Sequence, residues 1–187
     1  MDDRLDIVFY APGMPFQGDT LERRSLGGSE TAALYMARAL AALGHHVTVF
    51  SHCDRPGTYG GVIYRHANDW HGYARLAPHD VSIIQRTPEA LSQRMNSKLN
   101  LLWCHDLVLG RNAGPFQGVM WNVDRVLVLS EFMKKQYQEV LSLPEGVFHI
   151  TRNGIDTALV AKVRADLAAG RYALLDDGRI ARRDGPD

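Results

Sequence analysis

The sequence lacks the raw material for a disulfide framework or a zinc centre. Its 187 residues include two cysteines, Cys53 and Cys104, in no CxxC and no Cys/His pattern of zinc spacing. Reduced thiols used for packing are expected, and no metal. The eight histidines do not alter this: His45 and His46 would point to opposite faces of a strand start, and His66 and His71 lie in a polar connection without a companion set of carboxylates or thiols. An excess of either charge is missing too. Twenty-one Lys/Arg balance twenty-one Asp/Glu, which excludes the footprint of a nucleic-acid partner or a polybasic membrane patch. No segment approaches the ~20 apolar residues of a membrane span. The opening MDDRLDIVFYAPG is acidic, with an apolar run too short for a signal peptide, so the expected location is cytoplasmic, with no transmembrane segment.

What the sequence does have is Arg24-Ser25-Leu26-Gly27-Gly28-Ser29-Glu30, set between an apolar strand, Ile7 to Ala11, and a long apolar-periodic helix that begins near Ser29. Paired glycines let a backbone approach a ligand where a Cβ would collide. A helix start adds unpaired N–H groups and the positive end of the dipole. Such a loop suits a phosphate or diphosphate, with Gly27, Gly28 and Ser29 as the candidate contacts. The same residues also serve as a plain tight turn with Ser29 as N-cap. Arg23 and Arg24 would add charge to an anion site or simply face solvent.

Along the chain, apolar strands alternate with amphipathic helices through short connections. The helix from about Ser29 to Leu43 carries Ala33, Met36, Ala37, Leu40 and Leu43 on one stripe, and Gly44 stops it before strand two, HVTVFS. After a turn at Gly57 to Gly61, further strands are read at Val62 to Tyr64, Val81 to Gln85, Leu99 to Cys104, Arg125 to Leu129 and Val147 to Thr151. A helix is expected over Pro88 to Met95, and another after the N-cap Ser130 to about Leu143. The passage from His66 to Pro78 reads as irregular or weakly helical. The fold class is α/β: a Rossmann-like parallel sheet of about seven strands with helices on both faces. Residues 1–156 form this domain, and 157–187 read as a surface helix and a loose, polar tail without a strand long enough to extend a sheet.

Gly27-Gly28-Ser29-Glu30 after strand one, ALGHHVTVFS at strand two, WCHD after strand five, VLSEFMKKQY and the run NGID occur together in this order. Over about residues 5 to 160 this pattern resembles the N-terminal domain of GT-B glycosyltransferases of the retaining family 4 type. The resemblance implies two Rossmann-like domains facing a cleft, the N-terminal one holding the acceptor and the other the nucleotide-sugar donor. It implies no separate cofactor. By that resemblance Gly27 and Gly28 touch the donor diphosphate, and His105 lies near the donor sugar and acceptor, with Asp106 orienting it or contacting the acceptor. Ser130 and Glu131 match a turn where acceptor contacts occur, although Ser130 also reads as a plain N-cap. Glu30 is explained by the helix dipole.

NGID resembles the run that ends the N-terminal domain. Only thirty-one residues follow Asp156, so the donor domain is expected to be absent. The chain then reads as one domain of a longer protein, a truncated gene product or half of a split enzyme, needing a donor-binding domain in cis or trans and inactive alone. The competing reading is a non-catalytic sugar- or nucleotide-binding module. A nicotinamide dehydrogenase fits less well: the loop is not GxGxxG, and Ser51-His52-Cys53 closes strand two where an acidic residue would be required.

Overall fold

A computed structural model describes residues 3–154, 156–174 and 180–182. The strands are β1 (Asp6–Tyr10), β2 (His46–Ser51), β3 (Gly57–Tyr59), β4 (Val62–His66), β5 (His79–Gln85), β6 (Ser97–Trp103), β7 (Arg125–Val128) and β8 (Phe148–Ile150). The principal helices are α1 (Gly28–Ala42), α2 (Trp70–Leu76), α3 (Gly114–Gln117) and α4 (Glu131–Leu141). The eight strands make one sheet in the order β3-β4-β2-β1-β5-β6-β7-β8. All neighbours run parallel except β3 and β4.

The sheet has eight strands rather than the expected seven because Gly57 to Tyr59 is a strand, not part of a turn. Gly60 and Gly61 sit at φ 55° and 80°, the left-handed pair that a tight two-residue hairpin requires and that glycine adopts without a Cβ penalty. The passage after His66 is more regular than expected. His66 Nδ1 accepts from Asn68 N, and α2 buries Trp70 and Ala74. The expected helix over 88–95 is instead one short 3-10 turn, Pro88–Leu91.

Continuous apolar strands are needed because both faces of the sheet are covered. Along β1, Ile7 and Phe9 pack with Ala33, Leu34 and Ala37 of α1, while Val8 packs on the opposite side with Trp70, Leu102 and Tyr137. Ala33 and Ala37 are fully buried, so their small side chains bring α1 close to the strands.

The chain divides into two compact units, Met1–Arg152 and Asn153–Asp187. In the second, Asp156 caps α5 (Thr157–Ala168) by accepting from Leu159 N at 2.9 Å. Two three-residue strands, β9 (Tyr172–Leu174) and β10 (Ile180–Arg182), pair antiparallel in a sheet of their own and do not extend the eight-stranded one. The expected looseness of residues 175–179 and 183–187 lies outside the described residues.

Candidate functional site

Strand order reverses between β1 and β5: from β1 the chain progresses outward through β2 and β4, and from β5 outward through β6, β7 and β8. In an open parallel sheet the segments leaving the carboxyl ends at such a switch point turn away from each other and open a crevice. Here a cavity of about 240 Å³ is lined by Pro12 and Gly13 after β1, Glu30 of α1, Gln85, Arg86 and Thr87 at the end of β5, and Asp106 after β6.

The start of α1 stands on this cavity. Its N-cap is Gly27, not Ser29, with φ −63°, ψ 161° and no side-chain cap; the first intrahelical bond runs from Thr31 N to Gly27 O. The N–H groups of Gly28, Ser29 and Glu30 therefore precede the helix's own ladder. A Cβ built on Gly28 would meet nothing within 4 Å, whereas one on Gly27 would run into Glu30 Oε2 and one on Gly13 into Glu30 Oε1. Gly13 and Gly27 thus accommodate a protein carboxylate, and Gly28 keeps open space.

Glu30 does more than complement a dipole. It is 3% exposed, and its carboxylate accepts from Met14 N at 3.2 Å and Ser29 Oγ at 3.0 Å, fastening the loop after β1 to the helix. Arg86 Nη1 lies 3.8 Å from Glu30 Oε1 and donates to Ser29 Oγ at 3.2 Å, while its Nε donates to Asp106 Oδ2 at 2.6 Å. Arg86 holds this fork from a left-handed backbone, φ 61°, a strained conformation of the kind that clusters at ligand sites. Asp106 remains largely exposed, and among the described residues its side chain is bonded through Oδ2 alone.

His105 packs on Trp103 with ring centroids 4.6 Å apart. Its Nε2 is 3.0 Å from Gln85 Nε2, and the same Gln85 nitrogen donates to Ser29 O at 2.8 Å. Burial, with the Arg86 cation nearby, pulls His105 down to about 4, so the ring is neutral at pH 7. The neighbouring Cys104 thiol is fully buried and pushed up to about 12, which rules it out as a nucleophile near neutrality. Behind it, Tyr137 Oη donates to Asp106 O at 3.0 Å, and Gln136 holds both the N–H and the C=O of Val108. The segment after β6 is thereby pinned to α4.

Gln85 and Arg86 join Ser29, His105 and Asp106 in one network, with Gly27 and Gly28 preceding Ser29 at the helix start. The other candidates are engaged elsewhere. Arg24 Nη2 donates to Pro15 O at 2.6 Å and Arg23 pairs with Asp19 at 2.9 Å, so both arginines brace their own loop. Ser130 Oγ accepts from Met133 N at 3.2 Å as the N-cap of α4, and Glu131 faces Lys134 at 4.0 Å. Gln85 and Arg86 were missed by sequence reasoning. Their signal was two polar residues ending the apolar run VSII just before Thr87-Pro88, at a strand's carboxyl end.

A larger cavity of about 480 Å³ lies over Gly18, Asp19, Glu22, Arg38, Tyr59 and Gly60, but none of the carboxyl-end groups of β1, β5 or β6 reaches it. Among the described residues, no three His, Cys, Asp or Glu side chains are grouped to hold a metal ion, and no helix is long and apolar enough to cross a membrane. The sequence matches no protein-family model and no curated protein.

Proposed function

We propose that this chain is the acceptor-side domain of a retaining glycosyltransferase that uses a nucleotide-sugar donor. One observation carries the reading: the uncapped start of α1, through Glu30, the Arg86 fork and Asp106 meet at a single cleft at the switch point of the sheet, with His105 joined to it through Gln85. Each group has work in sugar transfer. The leaving diphosphate gains charge as the glycosidic bond breaks, and the N–H groups of Gly28, Ser29 and Glu30 meet that charge without reorganising. Neutral His105 hydrogen-bonds a sugar hydroxyl or phosphate oxygen. Asp106 accepts from an acceptor hydroxyl, and Arg86 sets the position of its carboxylate.

The carboxylates of Glu30 and Asp106 shape the chemistry as well. The Arg86 cation is engaged by Asp106 and lies 3.8 Å from Glu30, so an incoming diphosphate meets a lone helix start rather than a strongly cationic pocket. Affinity from one such terminus is on the order of 1–2 kcal/mol, which alone gives a Kd of roughly 30–200 mM. A donor-binding domain in cis or trans supplies the rest.

The test is incubation with radiolabelled UDP-, GDP- and ADP-sugars and a mixed acceptor extract, with and without a donor domain of the same enzyme type added in trans. Transfer only in the presence of the donor domain is expected. Robust turnover by the chain alone would show that it carries its own donor site. Sugar or nucleotide binding without transfer under any condition would favour a binding module.

A further inference from the structure

Gln85 is 3% exposed at the end of β5, where its parallel partner is Trp103, and the function proposed above gives it no part. Its Nε2 stands 2.8 Å from the backbone oxygen of Ser29 and 3.0 Å from Nε2 of His105. A carbonyl oxygen only accepts, so the contact with Ser29 settles which end of the Gln85 amide is nitrogen. The second N–H of that amide then faces the imidazole. A donor facing a ring nitrogen requires that nitrogen to carry no proton.

We propose that Gln85 is a positioning residue that holds His105 as the neutral tautomer protonated at Nδ1, leaving the ring an N–H donor for a bound ligand. Among the described residues no group accepts from Nδ1 of His105, so that proton is not consumed within the protein. The ring's neutral state has an independent cause in its burial and in the adjacent Arg86 guanidinium. Gln85 also joins two parts of the cleft. The carbonyl it grips belongs to the first turn of α1, whose N–H groups face the other way along the helix axis, so one buried amide sets His105 relative to the helix start.

The tautomer stands on geometry alone; its use in sugar transfer, a donor to a hydroxyl or phosphate oxygen that brings no charge, rests on the proposed function. Long-range proton-nitrogen correlation spectra of protein labelled with ¹⁵N-histidine, at pH 7, read the tautomer directly, with His105 identified by the signal lost in His105→Asn. The expected pattern is pyrrole-type nitrogen at Nδ1 and pyridine-type at Nε2. Gln85→Met keeps the length of the side chain and removes the donor, and should move His105 toward the Nε2–H form that free histidine favours in water, with the circular dichroism spectrum retained.

An Nε2–H or imidazolium ring in the parent overturns the proposal, as does a folded Gln85→Met that keeps Nδ1–H alone. If Gln85→Met fails to fold, the parent spectrum still decides the tautomer. Gln85→Glu then tests the agent, since a carboxylate only accepts and must draw a proton onto Nε2. Failure of sugar transfer by the parent with a donor domain, alongside an intact Nδ1–H signal, counts against the proposed function and leaves the tautomer assignment standing.

Discussion

Two adjacent glycines have opposite duties. Gly27 has a backbone that alanine adopts freely, yet its Cβ position is taken by the buried Glu30 carboxylate, whose bonds to Met14 and Ser29 resist displacement. Gly27→Ala should therefore cost about 1–3 kcal/mol as a small-to-large change in a filled site, read by urea unfolding. Gly28 has open space at the first helical position. Gly28→Val should leave stability within about 1 kcal/mol of the parent, since helix propensities differ by no more than that, while blocking the approach of an anion. Equal pyrophosphate affinity in Gly28→Val and the parent, by calorimetry, would return the loop to a plain turn. His105 sets a pH dependence of known sign. Above pH 6.5, its ordinary value, the ring is neutral folded and unfolded and contributes nothing; between 6.5 and about 4 the unfolded chain takes a proton that the folded chain refuses, so stability falls as pH falls. His105→Asn should remove that part of the slope. An unchanged loss of stability from pH 7 to pH 5 in the variant would place the proton uptake elsewhere.

At the scale of elements, legibility followed hydrophobic continuity. β1, β2, β5, β6 and β7 announced themselves because both faces of the sheet are covered, and α1 and α4 because their stripes meet that sheet. β3 did not, being three residues on an edge with little apolar content and known only through its partner β4. Its turn is testable: Gly61→Ala forces a side chain into φ 80° and should cost about 1–2 kcal/mol, whereas stability equal to the parent would mean the hairpin does not hold that turn. Ser130 was read in both its roles, and only the cap has a partner in the structure. Ser130→Ala should lower stability by about 1 kcal/mol through the loss of the bond to Met133 N, and a loss below about 0.3 kcal/mol would show the cap to be idle. In the candidate site, the glycines and His105-Asp106 were legible because loop composition and position mark them. Gln85 and Arg86 were not, because their function depends on β5 lying between β1 and β6, a neighbour relation that spacing along the chain does not encode.

For the molecule as a whole, the topology decides where ligand chemistry belongs. The switch between β1 and β5 gathers groups separated by up to ninety-four residues, Pro12 to Asp106, around one cleft. Removing one preorganised donor to a developing oxyanion typically costs ~10²–10³ in rate, which is why a cleft with one helix terminus should not sustain sugar transfer unaided. The most direct measurement is a titration of ¹⁵N-labelled protein with UDP-, GDP- and ADP-sugars, followed by amide chemical shifts. The account predicts progressive, weak-binding shifts at Gly28, Ser29 and Glu30 and at the His105 ring with at least one of the three, and a smaller response in Gly28→Val. Shifts confined to the region of Gly18, Arg38 and Tyr59, or none at Gly28 to Glu30 as the ligand is raised to about 100 mM, inside the roughly 30–200 mM range that about 1–2 kcal/mol from one helix start implies, would contradict it.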